Sequence, residues 1–232
     1  MNWNNQLLGQ FIQVNEIKNL AAKRAVANKM AARVKDGEIV GVGSGSSALL
    51  ALVAIAERIK AEELKVKVIP TSYEINMASQ HLGLMITDLL SDRPDWCFDG
   101  ADEVDPNHSL NKGRGGAMFR EKLVMSSCEE RYILVDDSKM VQRLGTNFPI
   151  PIEVHQAGLS YVTAALKALG AKQMNIRAAK GKDGPVITES GCVILDVRFE
   201  VVSDGLEKAI KVITGVLDSG LFQGYKPNIL SV

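Results

Sequence analysis

Asp99, Asp102, Glu103 and Asp105 stand close together in the stretch Asp95–Lys122, DWCFDGADEVDPNHSLNKGRGGAMFREK. Lys112, the glycines 113, 115 and 116, and Glu121 follow within the same stretch. Carboxylates so crowded repel one another unless a cation or a proton offsets them, so the cluster suits cation binding or acid/base work. Trp96, Cys97 and Phe98 form a short apolar run that reads as a buried strand, and Gly100 breaks it. Asp99 and Asp102 are therefore expected just beyond the carboxyl end of that strand, where open α/β sheets bind ligands. The plainer reading is a solvated acidic turn. A lysine and a further glutamate nearby weigh against it.

A second candidate is the turn Gly41-Val-Gly43-Ser-Gly45-Ser-Ser47. Gly43-x-Gly45-x-x-Ala48 nominally satisfies a dinucleotide fingerprint, but the acid that grips a ribose hydroxyl is missing after the next strand, which ends Ile69-Pro70-Thr71-Ser72. No Gly-Lys-Ser/Thr follows, so a P-loop fails as well. What remains is a turn with hydroxyls at Ser44, Ser46 and Ser47 ahead of a helix, an arrangement suited to a monophosphate. A plain tight turn is the bland alternative.

Strands and helices must position these groups. Glu38–Val42, Lys65–Ile69, Leu84–Ile86, Trp96–Phe98 and Arg131–Val135 read as strands. Between and around them, helices are expected over 16–34, 48–60, 74–81 and 115–128. Strands alternating with helices predict a mostly parallel sheet covered on both faces, an α/β fold. After Phe148-Pro-Ile-Pro151 the rhythm changes to helix (159–169), strands (172–177, 193–197), helix (205–213) and a short apolar run (215–217). That order predicts a small α+β unit of the split βαβ kind. Residues 1–15 are polar and read as an appended segment.

Composition narrows the function classes. Apolar residues make up 46% of the 232, enough for a substantial core. Lys plus Arg equals Asp plus Glu at 27 each, so the chain lacks the basic excess of a nucleic-acid or membrane-surface binder. Three cysteines and three histidines are scattered, which supports neither a zinc site nor a disulfide framework and reads as buried thiols in a reducing cytosol. No basic start followed by an apolar run marks a signal peptide, and no stretch approaches the ~18 apolar residues of a membrane span. The expected localisation is cytoplasmic.

GVGSGSS, TSYEINMASQHLGL, DGADEVD, KGRGGAMFREK, VDDSK, LG-x-x-FPIPIEV and GCVILDV occur in this order, and together the chain resembles ribose-5-phosphate isomerase type A from about Lys23 to Phe222. The resemblance implies a Rossmann-like, mostly parallel sheet domain (16–149 with 221–232) and a smaller ferredoxin-like α+β lid (150–220). It implies interconversion of ribose 5-phosphate and ribulose 5-phosphate with no metal or organic cofactor, by a homodimer or homotetramer. Carried over by motif, Glu121 is the carbon base, Asp99 the acid/base for ring opening and hydroxyl protons with Asp102 beside it, and Lys112 the stabiliser of the enediolate. Ser44, Gly45, Ser46, Ser47 and Lys139 hold the phosphate, with Lys23 reaching it, and Asp136 is a further polar position. Gly113, Gly115 and Gly116 let the backbone close over the sugar. The ending after Phe222, QGYKPNILSV, is unlike the apolar strand expected there.

Isomerisation fits these residue types independently. A base must move a proton from C2 to C1, a donor must stabilise the enediolate oxygen, and the phosphate supplies remote binding energy. Glu121 is pulled two ways. Its place early in a helix favours the carboxylate, while Met118 and Met125 share its face and would bury it, which disfavours the charge. Burial is expected to win. Rival readings are a non-catalytic sugar-phosphate sensor, a divalent-metal enzyme on the four acids, and an NAD-dependent enzyme. Retention of Asp99, Asp102, Lys112 and Glu121 together, Lys112 beside the acids, and the missing ribose acid argue against each in turn.

Overall fold

The apolar runs become strands and the Ala- and Leu-rich stretches become helices in a computed structural model that describes residues 6–12 and 19–231. The first elements are α1 (Leu20–Arg33), β1 (Ile39–Val42), α2 (Ser46–Glu62), β2 (Lys67–Pro70), α3 (Tyr73–His81), β3 (Met85–Ile86) and β4 (Trp96–Gly100). Next come β5 (Glu103–Val104), β6 (Leu110–Asn111), α4 (Met118–Ser127), β7 (Glu130–Leu134), β8 (Ile150–Val154) and α5 (Leu159–Ala168). The chain finishes with β9 (Ala171–Ile176), β10 (Val193–Phe199), α6 (Leu206–Lys211), β11 (Val216–Ser219), β12 (Leu221–Phe222) and β13 (Asn228–Leu230). The start of the first expected helix, at residues 16–18, lies outside the described residues, as do 1–5 and 13–15 of the appended segment; Gln6–Phe11 form a 3-10 turn.

Two compact units divide the chain, Met1–Gly100 with Leu123–Ser138 and Pro227–Val232, and Ala101–Lys122 with Lys139–Lys226. This grouping puts 101–122, 139–149 and 221–226 with the second unit, whereas the division expected from sequence places them in the first.

The first unit holds a six-stranded sheet in the order β13-β7-β4-β1-β2-β3, parallel throughout. Val40, Val42 and Val68 are fully buried in it, and α2 turns Ala48, Ala51, Leu52 and Ile55 onto the same core. Such two-sided burial is why β1 and β4 read as continuous apolar runs, whereas Lys65–Ile69 alternates because Lys67 of β2 is exposed. Successive strands β1, β2 and β3 run one way across the sheet, and β4, β7 and β13 the other, so the order reverses between β1 and β4. Asp99 and Gly100 belong to β4 itself and do not follow it, because they pair with Ile133 and Leu134 of β7. The doubtful C-terminus does make a strand: Asn228, Ile229 and Leu230 pair with Tyr132, Ile133 and Leu134.

The second unit contains a four-stranded antiparallel sheet, β11-β8-β10-β9, built from a βαββαβ run with α5 and α6 as its helices. Its core joins Ile150, Ile152 and Val154 of β8 to Val162, Leu166, Leu195, Val197 and Ile210. The sequence reading supplied five of the six elements; β8 was hidden in a segment taken for a boundary. A small sheet, β12-β6-β5, completes the unit. The helix expected to begin at Gly115 begins at Met118, because Gly113 (φ 100°) and Gly116 (φ 85°) adopt left-handed backbone and form a turn closed by the Gly116 N–H on the Gly113 carbonyl (3.0 Å).

Candidate active site

In the first unit the polar groups gather at the carboxyl ends of three adjacent strands. The serine turn follows β1, Asp99 lies near the end of β4, and Asp136 comes two residues after β7. This is the switch point of the sheet, where a crevice opens because the connections leave in opposite directions. Gly45 (φ 91°) bends the chain so that Ser46 and Ser47 start α2, aiming free N–H groups and the positive end of the helix dipole outward. Lys23 Nζ donates to Ser46 Oγ (3.0 Å). Ser44 Oγ bonds Thr71 Oγ1 (2.9 Å) and Ser72 Oγ (2.8 Å), so the turn is braced by the end of β2. Ser72 also caps α3 by accepting the Ile75 N–H (3.3 Å). Asp99 is 3% exposed and accepts the Gly100 N–H (2.7 Å). Asp136 is buried and accepts the N–H (3.1 Å) and the hydroxyl of Ser138.

In the second unit Lys112 and Glu121 form an ion pair in which both side chains are more than nine-tenths buried. Met118 and Met125 are fully buried on the same helix, as their spacing from Glu121 implied. Besides burial and the helix dipole, Glu121 has the adjacent Lys112 ammonium, which opposes the effect of burial. Gly113 and Gly116 are closely packed against their neighbours. A β-carbon at Gly113 would meet Met118 at 3.1 Å and Pro151 at 3.3 Å, and one at Gly116 would meet Ile194 at 3.1 Å. Gly115, by contrast, faces open space. Asp102 is half-buried, and its carboxylate accepts the Arg114 N–H at a long 3.4 Å. Lys139 extends along the ring of Phe148, with Nζ 5.6 Å from its centroid.

The other two acids of the cluster do structural work. Glu103, fully buried, accepts the backbone N–H groups of Gly145 (2.6 Å), Asn147 (2.5 Å) and Phe148 (3.2 Å) and the Asn111 amide (3.0 Å). Asp105 closes its own turn on the N–H groups of Asn107 (2.9 Å) and Ser109 (2.8 Å). Among the described residues no three His, Cys, Asp or Glu side chains are grouped to hold a metal ion. The three cysteines are free and buried.

Residues 67–231 match the family described as Ribose 5-phosphate isomerase A (phosphoriboisomerase A). The chain belongs to that family. It is 39% identical over 217 residues to the ribose-5-phosphate isomerase A of Methanothermobacter thermautotrophicus, covering 93% of each chain. The solved ribose 5-phosphate isomerase A of Methanocaldococcus jannaschii superposes with a TM-score of 0.88 at 39% identity, over 92% of this chain and 95% of that one. A D-ribose-5-phosphate isomerase solved in complex with phospho-erythronic acid superposes with a TM-score of 0.86 at 32% identity, over 90% of this chain and 93% of the other.

Two features of this family member escaped the sequence reading. Thr71 and Ser72 stand where a ribose-gripping acid was sought, and there they brace Ser44. Arg177, just after β9, pairs with Asp196 of β10 and donates to the carbonyls of Gly113 (3.1 Å) and Arg114 (2.8 Å), fixing the glycine turn. Nothing local in the sequence marks an arginine some sixty residues away as a partner of that turn.

Proposed function

We propose that the chain interconverts D-ribose 5-phosphate and D-ribulose 5-phosphate through an enediolate, as an aldose-ketose isomerase of the pentose phosphate pathway. The observation that carries the proposal is the buried Lys112–Glu121 pair. A carboxylate held beside an ammonium out of water is what a carbon base and its enediolate stabiliser require.

Glu121 takes the C2 proton of the open-chain aldose and returns it to C1. Lys112 stabilises the negative charge that develops on the enediolate oxygen. Asp99 opens the ring and moves hydroxyl protons, assisted by Asp102. The hydroxyls of Ser46 and Ser47, the backbone of Ser44 and Gly45 and the first turn of α2, with Lys23 and Lys139, hold the phosphate. Asp136 binds a sugar hydroxyl, and the turn of Gly113, Gly115 and Gly116 lets backbone approach the sugar.

Phospho-erythronic acid, bound by one family member, supports the enediolate. Its carboxylate is planar with two oxygens on one carbon, as an enediolate presents two oxygens on adjacent planar carbons, and analogues of that kind bind tightly. The reading includes a cytoplasmic enzyme needing neither metal nor organic cofactor. Among the described residues no helix is long and apolar enough to cross a membrane. Assembly as a homodimer or homotetramer is part of the proposal; β9 pairs only with β10 among the described strands and leaves a ladder edge for a second copy.

The test is direct. Purified protein given ribose 5-phosphate is expected to form ketose at the same rate with and without EDTA, and Glu121→Gln is expected to lower kcat by roughly 10²–10⁴-fold. A rate that collapses in EDTA, or a Glu121→Gln variant of undiminished kcat, refutes the reading.

A further inference from the structure

Lys122 follows Glu121 in α4, yet its side chain runs inward and the residue is only 7% exposed. Its Nζ pairs with Asp218 Oδ1 (2.6 Å) and Glu207 Oε1 (2.7 Å) and donates to the carbonyls of Ser219 (3.0 Å) and Leu221 (2.8 Å). It also lies 4.7 Å from the centroid of the Phe222 ring. A buried ammonium is tolerated only when so fully partnered. The two carboxylates are themselves tied down: Glu207 Oε2 accepts the Gln223 N–H (2.6 Å), and Asp218 Oδ2 pairs with Lys211 (2.9 Å). Every partner of this lysine therefore belongs to, or grips, the segment 218–223.

That segment is also the rear wall of Lys112. The Lys112 N–H donates to the Gly220 carbonyl (2.9 Å), and the Gly220 N–H donates to the Pro151 carbonyl (2.7 Å). Proline has no N–H to return, and the Gly220 carbonyl takes the Lys112 N–H instead. Leu221 and Phe222 pair with Asn111 and Leu110, and the Phe222 ring centroid lies 5.2 Å from Lys112 Nζ. The fit is tight: a β-carbon on Gly220 would come within 2.0 Å of the Lys112 carbonyl oxygen.

We infer that Lys122 is a positioning residue for the isomerisation. Its ammonium fastens the helix turn that bears Glu121 to the segment 218–223, whose Gly220 carbonyl holds the Lys112 backbone, and so sets the carboxylate against the ammonium. The inference rests on the reading of Glu121 and Lys112 as base and charge stabiliser. It goes beyond stability, because a residue that only filled the core would leave the folded fraction turning over normally.

Lys122→Met and Lys122→Arg test it in the full-length protein, with wild type alongside. The readouts are kcat and KM for ribose 5-phosphate per folded molecule, and the rate at which an amine-acylating reagent labels Lys112, followed by peptide mass spectrometry. Lys122→Met is expected to lose about 10²-fold in kcat, the scale of a small misplacement of reacting groups. KM is expected to stay within roughly threefold, since ground-state binding is untouched. Labelling of Lys112 should accelerate several-fold, and Lys122→Arg should recover part of both. Folded Lys122→Met with wild-type kcat and wild-type labelling overturns the inference. Should Lys122→Met not fold, Asp218→Asn loosens one arm of the same knot and is read identically. A wild type inactive on ribose 5-phosphate defeats the functional reading, while the labelling comparison still decides whether Lys122 holds Lys112.

Discussion

Gly43 lies so close to Asp99 that a β-carbon placed on it would stand 2.0 Å from the Asp99 carboxyl carbon and 2.2 Å from Oδ1. Neither residue can move aside cheaply. Val42 and Phe98, just before them, are paired in the parallel ladder and buried at 0% and 1% exposure. Gly43→Ala is thus expected to expel the Asp99 side chain from its place and to cost about 1–3 kcal/mol of stability by overpacking. Under the proposed mechanism it should lower kcat well beyond the loss of folded protein. Gly45→Ala is the control. It meets nothing within 4 Å but sits at φ 91° and ψ 177°, so it should strain the backbone by roughly 1–3 kcal/mol while leaving Asp99 alone. Urea melts and steady-state kinetics on both variants separate the effects.

The Lys112–Glu121 pair predicts a characteristic double-mutant cycle. Glu121→Gln takes an anion away from a buried ammonium and Lys112→Met takes a cation away from a buried carboxylate, each costing about 3–5 kcal/mol. The double variant removes both charges and is expected to be more stable than either single one. Activity should show no such recovery. Loss of the base alone is expected to lower kcat by roughly 10²–10⁴-fold, and the double variant should be no better. Strict additivity in denaturant melts would mean that the two charges do not interact.

How far the sequence led depended on the length of the signal. The parallel strands β1, β4 and β7 were legible as runs of mostly apolar residues between turn residues, and β2 by the alternation of Lys65–Ile69. The pairs 103–104, 110–111 and 221–222 were not, since two residues carry no periodicity. Pro149 and Pro151 disguised β8 as a boundary. Pro151 sits inside that strand, and its missing N–H leaves the Gly220 carbonyl to Lys112. Asp99, Lys112 and Glu121 stood out as candidates through their motifs, and the burial of Glu121 followed from Met118 and Met125. What no local pattern reveals is which distant groups satisfy a buried charge. Glu103 read as one more acid of a cluster, yet its partners are backbone amides of 145–148.

Phosphate binding at the serine turn should separate from chemistry. Ser46 is exposed and holds Lys23, whereas Ser44 is spent on Thr71 and Ser72. Ser46→Ala and Lys23→Ala are therefore expected to raise KM for ribose 5-phosphate by about tenfold, the scale of one hydrogen bond to a charged group. Their kcat should change little, because the contact is made equally in ground and transition states. Ser44→Ala should act through stability, by loosening the ends of β1 and β2. Equal KM effects from all three variants would contradict this division.

Glu153 provides a pH-dependent term in stability that is independent of catalysis. It is buried in β8 at 1% exposure, its Oε1 bonded to the Thr188 hydroxyl and its neighbour across the β8–β11 ladder being Asp218. Burial raises its pKa most, and the negative charge of Asp218 adds to it. Hydrogen bonds from Thr188 and Ser190 and the charge of Lys211 act the other way without cancelling the rise. The folded state thus holds the proton to a higher pH than the unfolded chain does. Stability from this group is fully present below the ordinary glutamate pKa and is lost as pH rises through the raised folded value. Glu153→Gln keeps a neutral acceptor for Thr188 and cannot ionise. Its Tm relative to wild type is therefore expected to climb between pH 4 and pH 8, with each 1 kcal/mol appearing as about 2–4 °C in a chain of this size. A Tm difference that stays flat across that range would show that Glu153 is already ionised at no cost in the folded protein, its charge balanced by Lys211 and the hydroxyls around it.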